Sequence, residues 1–183
     1  MDVPTYHKVL IVTDGAINIA PTFEDNVDIC QNAIDLAISL GLHKPKVAIL
    51  AAVETVTSKM PATTYAASLC KMDEPGQMSG GAVVDGPLAF GNAISRQAAD
   101  TKGIHWDVAG DPDILLAPDL EAGNIVAKQL SFLAHADSAG LGLGARVPII
   151  LTSCADSARS RIASCAIAMA AAHARRKNAQ KAA

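Results

Sequence analysis

The stretch VPIILTSCADS, Val147 to Ser157, is an apolar run that stops at three small reactive or polar side chains, Thr152, Ser153 and Cys154, with Asp156 and Ser157 close behind. A helix is expected to open just after it. Hydroxyls of Thr152, Ser153 and Ser157 gathered at a helix N-terminus favour an anion, because the free N–H groups and the dipole point at it. The chemistry implied is binding of a phosphate or a carboxylate. Cys154 in the same place could be a reactive thiolate, since a helix N-terminus lowers a thiol pKa. A nucleophilic cysteine also needs a histidine base within hydrogen-bond reach. His105, His135 and His173 are scattered along the chain and nothing directs one of them to Cys154.

Short polar side chains stand beside sharp turns at three other places: Thr13-Asp14-Gly15, Asp85-Gly86-Pro87 and Pro118-Asp119. Helix capping and turn chemistry are enough to explain any one of them. In APDLEAGNIVAK, residues 117 to 128, Gly123 and Asn124 fall in what should be the first turns of a helix. A glycine there costs about 1 kcal/mol relative to alanine. It suggests a close approach of backbone to a neighbour or a ligand.

The elements that must hold these residues alternate in type. Lys8 to Thr13, Lys46 to Val53, Gly81 to Val84 and Asp113 to Ala117 are short apolar runs of the kind that form strands buried on both faces. Between and after them, Glu24 to Leu40, Ala62 to Met72, Ile94 to Thr101 and Glu121 to His135 have helical spacing, the last with Ile125, Leu130 and Leu133 as inward candidates. Ala139 to Gly144 and Val147 to Leu151 are two more strand candidates, and Ser157 to Lys177 is a long helix whose Ile162, Ala166, Met169 and His173 could line one face. Strands alternating with helices predict an α/β fold, a layered, largely parallel sheet with helices on both faces. Functional residues are then expected at the carboxyl ends of the strands.

Composition bounds the rest. The chain has 183 residues and is 50% hydrophobic but only 3% aromatic, which suits closely packed helix and sheet layers. A net charge of −3 with both signs scattered excludes a nucleic-acid surface, and the one basic cluster, His173 to Lys177, is expected to complement the end of the last helix. The cysteines at 30, 70, 154 and 165 show neither metal-ligand nor disulfide spacing. No apolar run approaches the roughly 20 residues of a membrane span, so a reducing cytoplasm is expected and no membrane partner.

TDGAINIAPTFEDNVDICQNAIDLAISLG, KVAILAAVETV, VVDGPLAFGNAIS, DILLAPDLEAGNIVAKQL and VPIILTSCADSARSRIAS together resemble the C-terminal part of the phosphate acetyl- and butyryltransferases, closest to the butyryltransferase-like members and the acyltransferase half of enoyl-CoA hydratase fusions. The resemblance implies reversible acyl transfer between coenzyme A and phosphate, with acyl-CoA and phosphate as partners, no metal and no cofactor beyond coenzyme A as substrate. It also implies an isocitrate/isopropylmalate dehydrogenase-like fold of two domains, usually a homodimer. On that architecture residues 1–146 are the interior α/β domain. Residues 147–183 are a strand and C-terminal helix that return to a domain missing here, so the fold is incomplete relative to the family and a separate N-terminal half is a possible partner.

The resemblance carries a site with it. Ser153 matches the family serine and, with Asp156, is the expected catalytic pair. Thr152, Cys154, Ser157, Asp85, Pro118, Asp119, Gly123, Asn124 and Lys128 are the expected phosphate and coenzyme A contacts, while Asp14, Asn18 and Pro21 fit the first family motif. Two departures stand out. Cys154 replaces an arginine whose planar fork suits phosphate, which implies an interrupted phosphate site, not a new nucleophile. The acetyl-specific branch has an aspartate where this chain has Ser160. A weakened or partial acyltransferase is therefore expected, the alternatives being a non-catalytic acyl-CoA-binding or dimerisation module and a degraded remnant.

Overall fold

The computed structural model describes residues 1–78 and 80–182. In chain order the elements are β1 (Ile11–Thr13), α1 (Phe23–Ser39), β2 (Lys46–Leu50), α2 (Pro61–Asp73), β3 (Val83–Leu88), α3 (Phe90–Ile94), α4 (Arg96–Thr101), β4 (Ile114–Leu116), α5 (Leu120–Phe132), β5 (Leu141–Gly142), β6 (Ile149–Ile150) and α6 (Ala158–Ala182). The first four strands form one parallel sheet in the order β1-β4-β2-β3. The alternation of strand and helix predicted this.

Side chains on a strand point to opposite faces in turn, and that alternation divides the core. Val47, Ile49, Ile114 and Leu116 pack with Ile29, Cys30, Ala33 and Ile34 of α1 and Ala66 and Leu69 of α2. Ala48, Leu50 and Leu115 point the other way, against Ala93 of α3, Ala99 of α4 and Val108. Both layers are covered, as a continuous apolar run requires. Each fully buried Leu or Ile contributes about 1.5–3 kcal/mol. Small alanines on the helices let them sit close to the sheet, which accounts for the low aromatic share.

Caps define the helices. Thr22 Oγ1 accepts the Asp25 N–H at 3.2 Å while the Asp25 carboxylate accepts the Thr22 N–H at 2.9 Å, a capping box that starts α1. Ser95, in an extended conformation, accepts the Ala98 N–H at 3.2 Å and so divides the single helix expected over 94–101 into α3 and α4.

Other elements differ from the sequence-based expectation. β3 does not end at Val84 but runs through Asp85, Gly86 and Pro87 to Leu88, because Gly86 has no Cβ, and one there would lie 2.8 Å from the Ile49 carbonyl oxygen on β2. β5 and β6 do not join the parallel sheet; they form a separate antiparallel pair. Of the three inward candidates, Ile125 on α5 and Leu133 at its C-cap are exposed and only Leu130 packs against the core. On α6 the assignment inverts: Ile162, Ala166, Met169 and His173 are exposed, and Ser164, Ala168 and Ala171 face inward. The basic cluster also lies within α6, which continues to Ala182, and Arg175 donates to the Ala145 carbonyl at 2.9 Å.

Candidate active site

Beyond the carboxyl end of β1 a cavity of about 410 Å³ opens between the β1 loop, α5 and the loop after β6. The Thr152–Ser157 loop forms one wall. There the Asp156 carboxylate accepts the Ser153 N–H at 2.7 Å, and the Asp156 N–H returns a bond to the Ser153 carbonyl at 3.0 Å. This closed turn fixes the half-buried Ser153 at the cavity wall beside Thr152 and Asp156. Ser153 Oγ accepts only a long bond, 3.4 Å, from the Ala155 N–H. Its own proton has no acceptor among the described residues, so it is free to donate to a ligand.

Helix α5 forms the facing wall through Asn124, Ala127, Lys128 and Ser131, positions i, i+3, i+4 and i+7 of one helix face. What holds that face here is Gly123. A Cβ on it would lie 2.1 Å from the Asp14 carbonyl oxygen, so only glycine lets α5 close onto the β1 loop. Asn124 Nδ2 adds a bond to the Gly15 carbonyl at 3.0 Å. The close approach read from the sequence is thus one of backbone to backbone.

Asp14 supplies the third wall. Its carboxylate accepts the N–H groups of Ala16, Ile17 and Asn18 and the Asn18 side-chain amide, at 2.8 to 3.0 Å. With that charge fully occupied by donors, Asp14 organises its loop. Lys128 differs: its ammonium stands 5.9 Å above the Phe132 ring and makes no ion pair among the described residues. The cavity therefore presents one uncommitted cation, several hydroxyls and an amide, a set that suits an anion such as phosphate.

The remaining sequence-predicted residues are placed elsewhere or do other work. Asp119 is the α5 N-cap, accepting the Ala122 N–H at 2.8 Å, and Pro118 leads into it. Ser157, not Asp156, caps α6, accepting the Ser160 N–H at 3.1 Å. Cys154 is exposed and does not line the cavity. Asp85 lies in β3, the opposite edge of the sheet from β1, where burial pushes its carboxyl pKa up against the opposing effect of the Gly86 N–H. Ser131 and Ser138 line the cavity but were not singled out in the sequence. Ser131 was discoverable, since it lies about two helical turns beyond Asn124; Ser138 carried no periodic signal. Among the described residues, no cluster of histidines, cysteines and carboxylates is arranged to hold a metal, and no helix is long and apolar enough to cross a membrane.

Residues 1–169 match the sequence model of the family described as phosphate acetyl/butaryl transferase. The chain belongs to the phosphate acetyl/butyryltransferase family. Among its relatives, a phosphate acetyltransferase of Rhizobium meliloti is 62% identical over 183 residues, covering 100% of this chain and 57% of the relative. A probable phosphate butyryltransferase of Bacillus subtilis (strain 168) is 50% identical over 93% of this chain and 56% of the relative. The crystal structure of a branched-chain phosphotransacylase from Enterococcus faecalis V583 superposes with a TM-score of 0.85 at 37% identity, covering 94% of this chain and 61% of that one. The chain thus spans about half the length of the curated family members it matches.

Proposed function

We propose that this chain carries one wall of a phosphate acyltransferase site, for the reaction acyl-CoA plus phosphate giving acyl phosphate plus CoA. The observation that carries the reading is the convergence on one cavity of Ser153, locked by Asp156, with Thr152, Asn124 and the uncommitted Lys128. In this reading Lys128 holds the phosphate, and the Ser153 O–H donates to the oxyanion that develops as the carbonyl is attacked, where a positioned donor has its largest effect. Asp156 acts on Ser153 through the backbone turn, and so is a positioning residue on this geometry. Gly123 and Asp119 set the angle of α5, and Ser157 sets the start of α6. Cys154, where the family has arginine, leaves phosphate held by fewer donors.

We assign residues 1–146 to one domain and residues 147–183 to the edge of a second. The exposed Ile149 and Ile150 of β6, Val147 and Leu151 flanking it, and Ile162 and Met169 on α6 support this division, because apolar surface of that extent belongs against another surface. A homodimer acting on acyl-CoA in a reducing cytoplasm completes the reading; the four free cysteines agree with such a compartment.

The test is acyl phosphate formation from acetyl-CoA and butyryl-CoA by the chain joined to the remaining segment of the R. meliloti relative. Turnover that collapses in Ser153→Ala is the expected result. A family-length chain that binds neither acyl-CoA nor phosphate overturns the reading.

A further inference from the structure

The loop that carries Ser153 continues one arm of the β5–β6 hairpin, and the hairpin register fixes what stands opposite. Leu141 pairs with Ile150 and Gly142 with Ile149. The Leu151 N–H then donates to the Gly140 carbonyl at 3.0 Å, which carries the same register one residue further. Continued along both arms, it sets Ser138 against Ser153. Residues directly opposite in an antiparallel pair present their side chains on the same face, with Cβ atoms about 4.5–5.5 Å apart. Both serines line the cavity of about 410 Å³ that α5 faces.

The hairpin is unzipped at that level. Hydrogen-bonded pairs recur at every second residue of an antiparallel ladder, so after Gly140 and Leu151 the next is Ser138 with Ser153. The Ser153 N–H, which the ladder would deliver to the Ser138 carbonyl, donates instead to the Asp156 carboxylate at 2.7 Å. The Gly140 N–H has also left the ladder, donating to Ser164 Oγ on α6 at 3.0 Å. Arg159, in the first turn of α6, holds Asp137 beside Ser138 through an ion pair at 2.6 Å. The two arms are thus parted and anchored by other side chains, which leaves both serine hydroxyls uncommitted. Ser153 Oγ accepts only the long bond from Ala155, and the half-buried Ser138 makes no side-chain hydrogen bond among the described residues. Ser131, on the same cavity, differs: its proton is given to the Ala127 carbonyl at 2.9 Å.

We propose that Ser138 is a further catalytic residue, the second of two hydroxyl donors that converge on the oxyanion formed as the acyl carbonyl is attacked. The proposal rests on the acyltransferase reading, with Ser153 as the first donor. Two hydroxyls that donate to one oxygen at ~2.7 Å each stand roughly 4–5 Å apart, the separation of opposed side chains in an antiparallel pair. Because Asp156, Ser164 and Arg159 hold the arms apart beforehand, neither donor has to reorganise as the charge develops. Ser138 brings no charge, so phosphate binding stays with Lys128.

The experiment uses this chain joined to the remaining segment of the R. meliloti relative and compares Ser138→Ala, Ser138→Thr and Ser138→Val with Ser153→Ala. Threonine and valine share a shape and differ in the hydroxyl. Ser138→Ala and Ser138→Val should each lower kcat by about 10²-fold and leave the KM for phosphate unchanged, while Ser138→Thr keeps most of the turnover. Since the two donors act on one oxygen, the double variant of Ser138→Ala with Ser153→Ala should lose less than the product of the single losses. A threonine no better than valine overturns the proposal. So does a loss that appears in the KM for phosphate with kcat intact, because the hydroxyl then serves the phosphate. Turnover that collapses in Ser153→Ala and persists in Ser138→Ala removes Ser138 alone; turnover unchanged in both removes the acyltransferase site with it.

Discussion

Ser153 and Asp156 are bound to one another through main-chain and carboxylate bonds, so their substitutions should fail differently. Ser153→Ala removes a donor and keeps the turn; kcat should fall by about 10²–10³, the range for one oxyanion-stabilising donor, with unchanged unfolding. Asp156→Ala removes the carboxylate that fixes the Ser153 N–H and should lower kcat by loosening the serine, a loss that Asp156→Asn partly restores because its amide oxygen still accepts. Lys128→Met should raise the KM for phosphate about tenfold, corresponding to ~1.4 kcal/mol, while kcat changes little. A further residue-scale prediction concerns stability. Burial works to raise the Asp111 pKa, but hydrogen bonds from Lys46, Lys8 and His7 outweigh it and hold the carboxyl well below the usual carboxylate range. A depressed carboxyl stabilises the fold above its unfolded pKa of about 4, and that stabilisation is lost as pH falls below it. Asp73 and Asp85, raised by burial, act with the opposite sign. Comparing the chain with Asp111→Asn in urea unfolding isolates the effect: the variant should be less stable at pH 6, and the difference should shrink toward pH 2.

Among the elements, α5 shows how a local cost supports the site. Alanine is the better helix former by about 1 kcal/mol, yet Gly123→Ala should destabilise the chain by about 1–3 kcal/mol, because the new methyl meets the Asp14 carbonyl. Chemical unfolding reads the sign directly. This glycine also marks how much of the structure was legible in the sequence. Continuous apolar runs and helical spacing located the parallel sheet, α1, α2 and α5 within a few residues, and the capping residues Thr22, Asp119 and Ser157 have side-chain chemistry that explains each start. The inward faces of α5 and α6 were misread because apolar spacing shows that a face is buried without showing by what; Ile125, Ile162 and Met169 are apolar and exposed here. Asp85 stood at a turn signal that reads the same whether the strand stops there or, as here, passes through it. Thr152, Ser153, Asp156, Asn124 and Lys128 line one cavity, whereas Cys154, Ser157, Asp85, Pro118, Asp119 and Gly123 do not.

The whole molecule is a well-packed parallel sheet with a less covered flank. Its two cores surround β2 and β4, while β6, α5 and α6 leave large apolar side chains exposed, among them Ile125, Ile149, Ile150, Ile162 and Met169. Ile162→Glu together with Met169→Glu should therefore reduce concentration-dependent association of the 183-residue chain in sedimentation experiments without loss of helix. An exposed apolar flank fits a molecule whose second side comes from further polypeptide, and the central claim is that the side present here carries the serine and the phosphate-binding lysine. The most direct test is acyl phosphate formation by the family-length chain, with Ser153→Ala and Lys128→Met measured beside it. Turnover that falls by about 10²–10³ without Ser153 and loses phosphate affinity without Lys128 is the result predicted; turnover indifferent to both substitutions would contradict the assignment of this cavity.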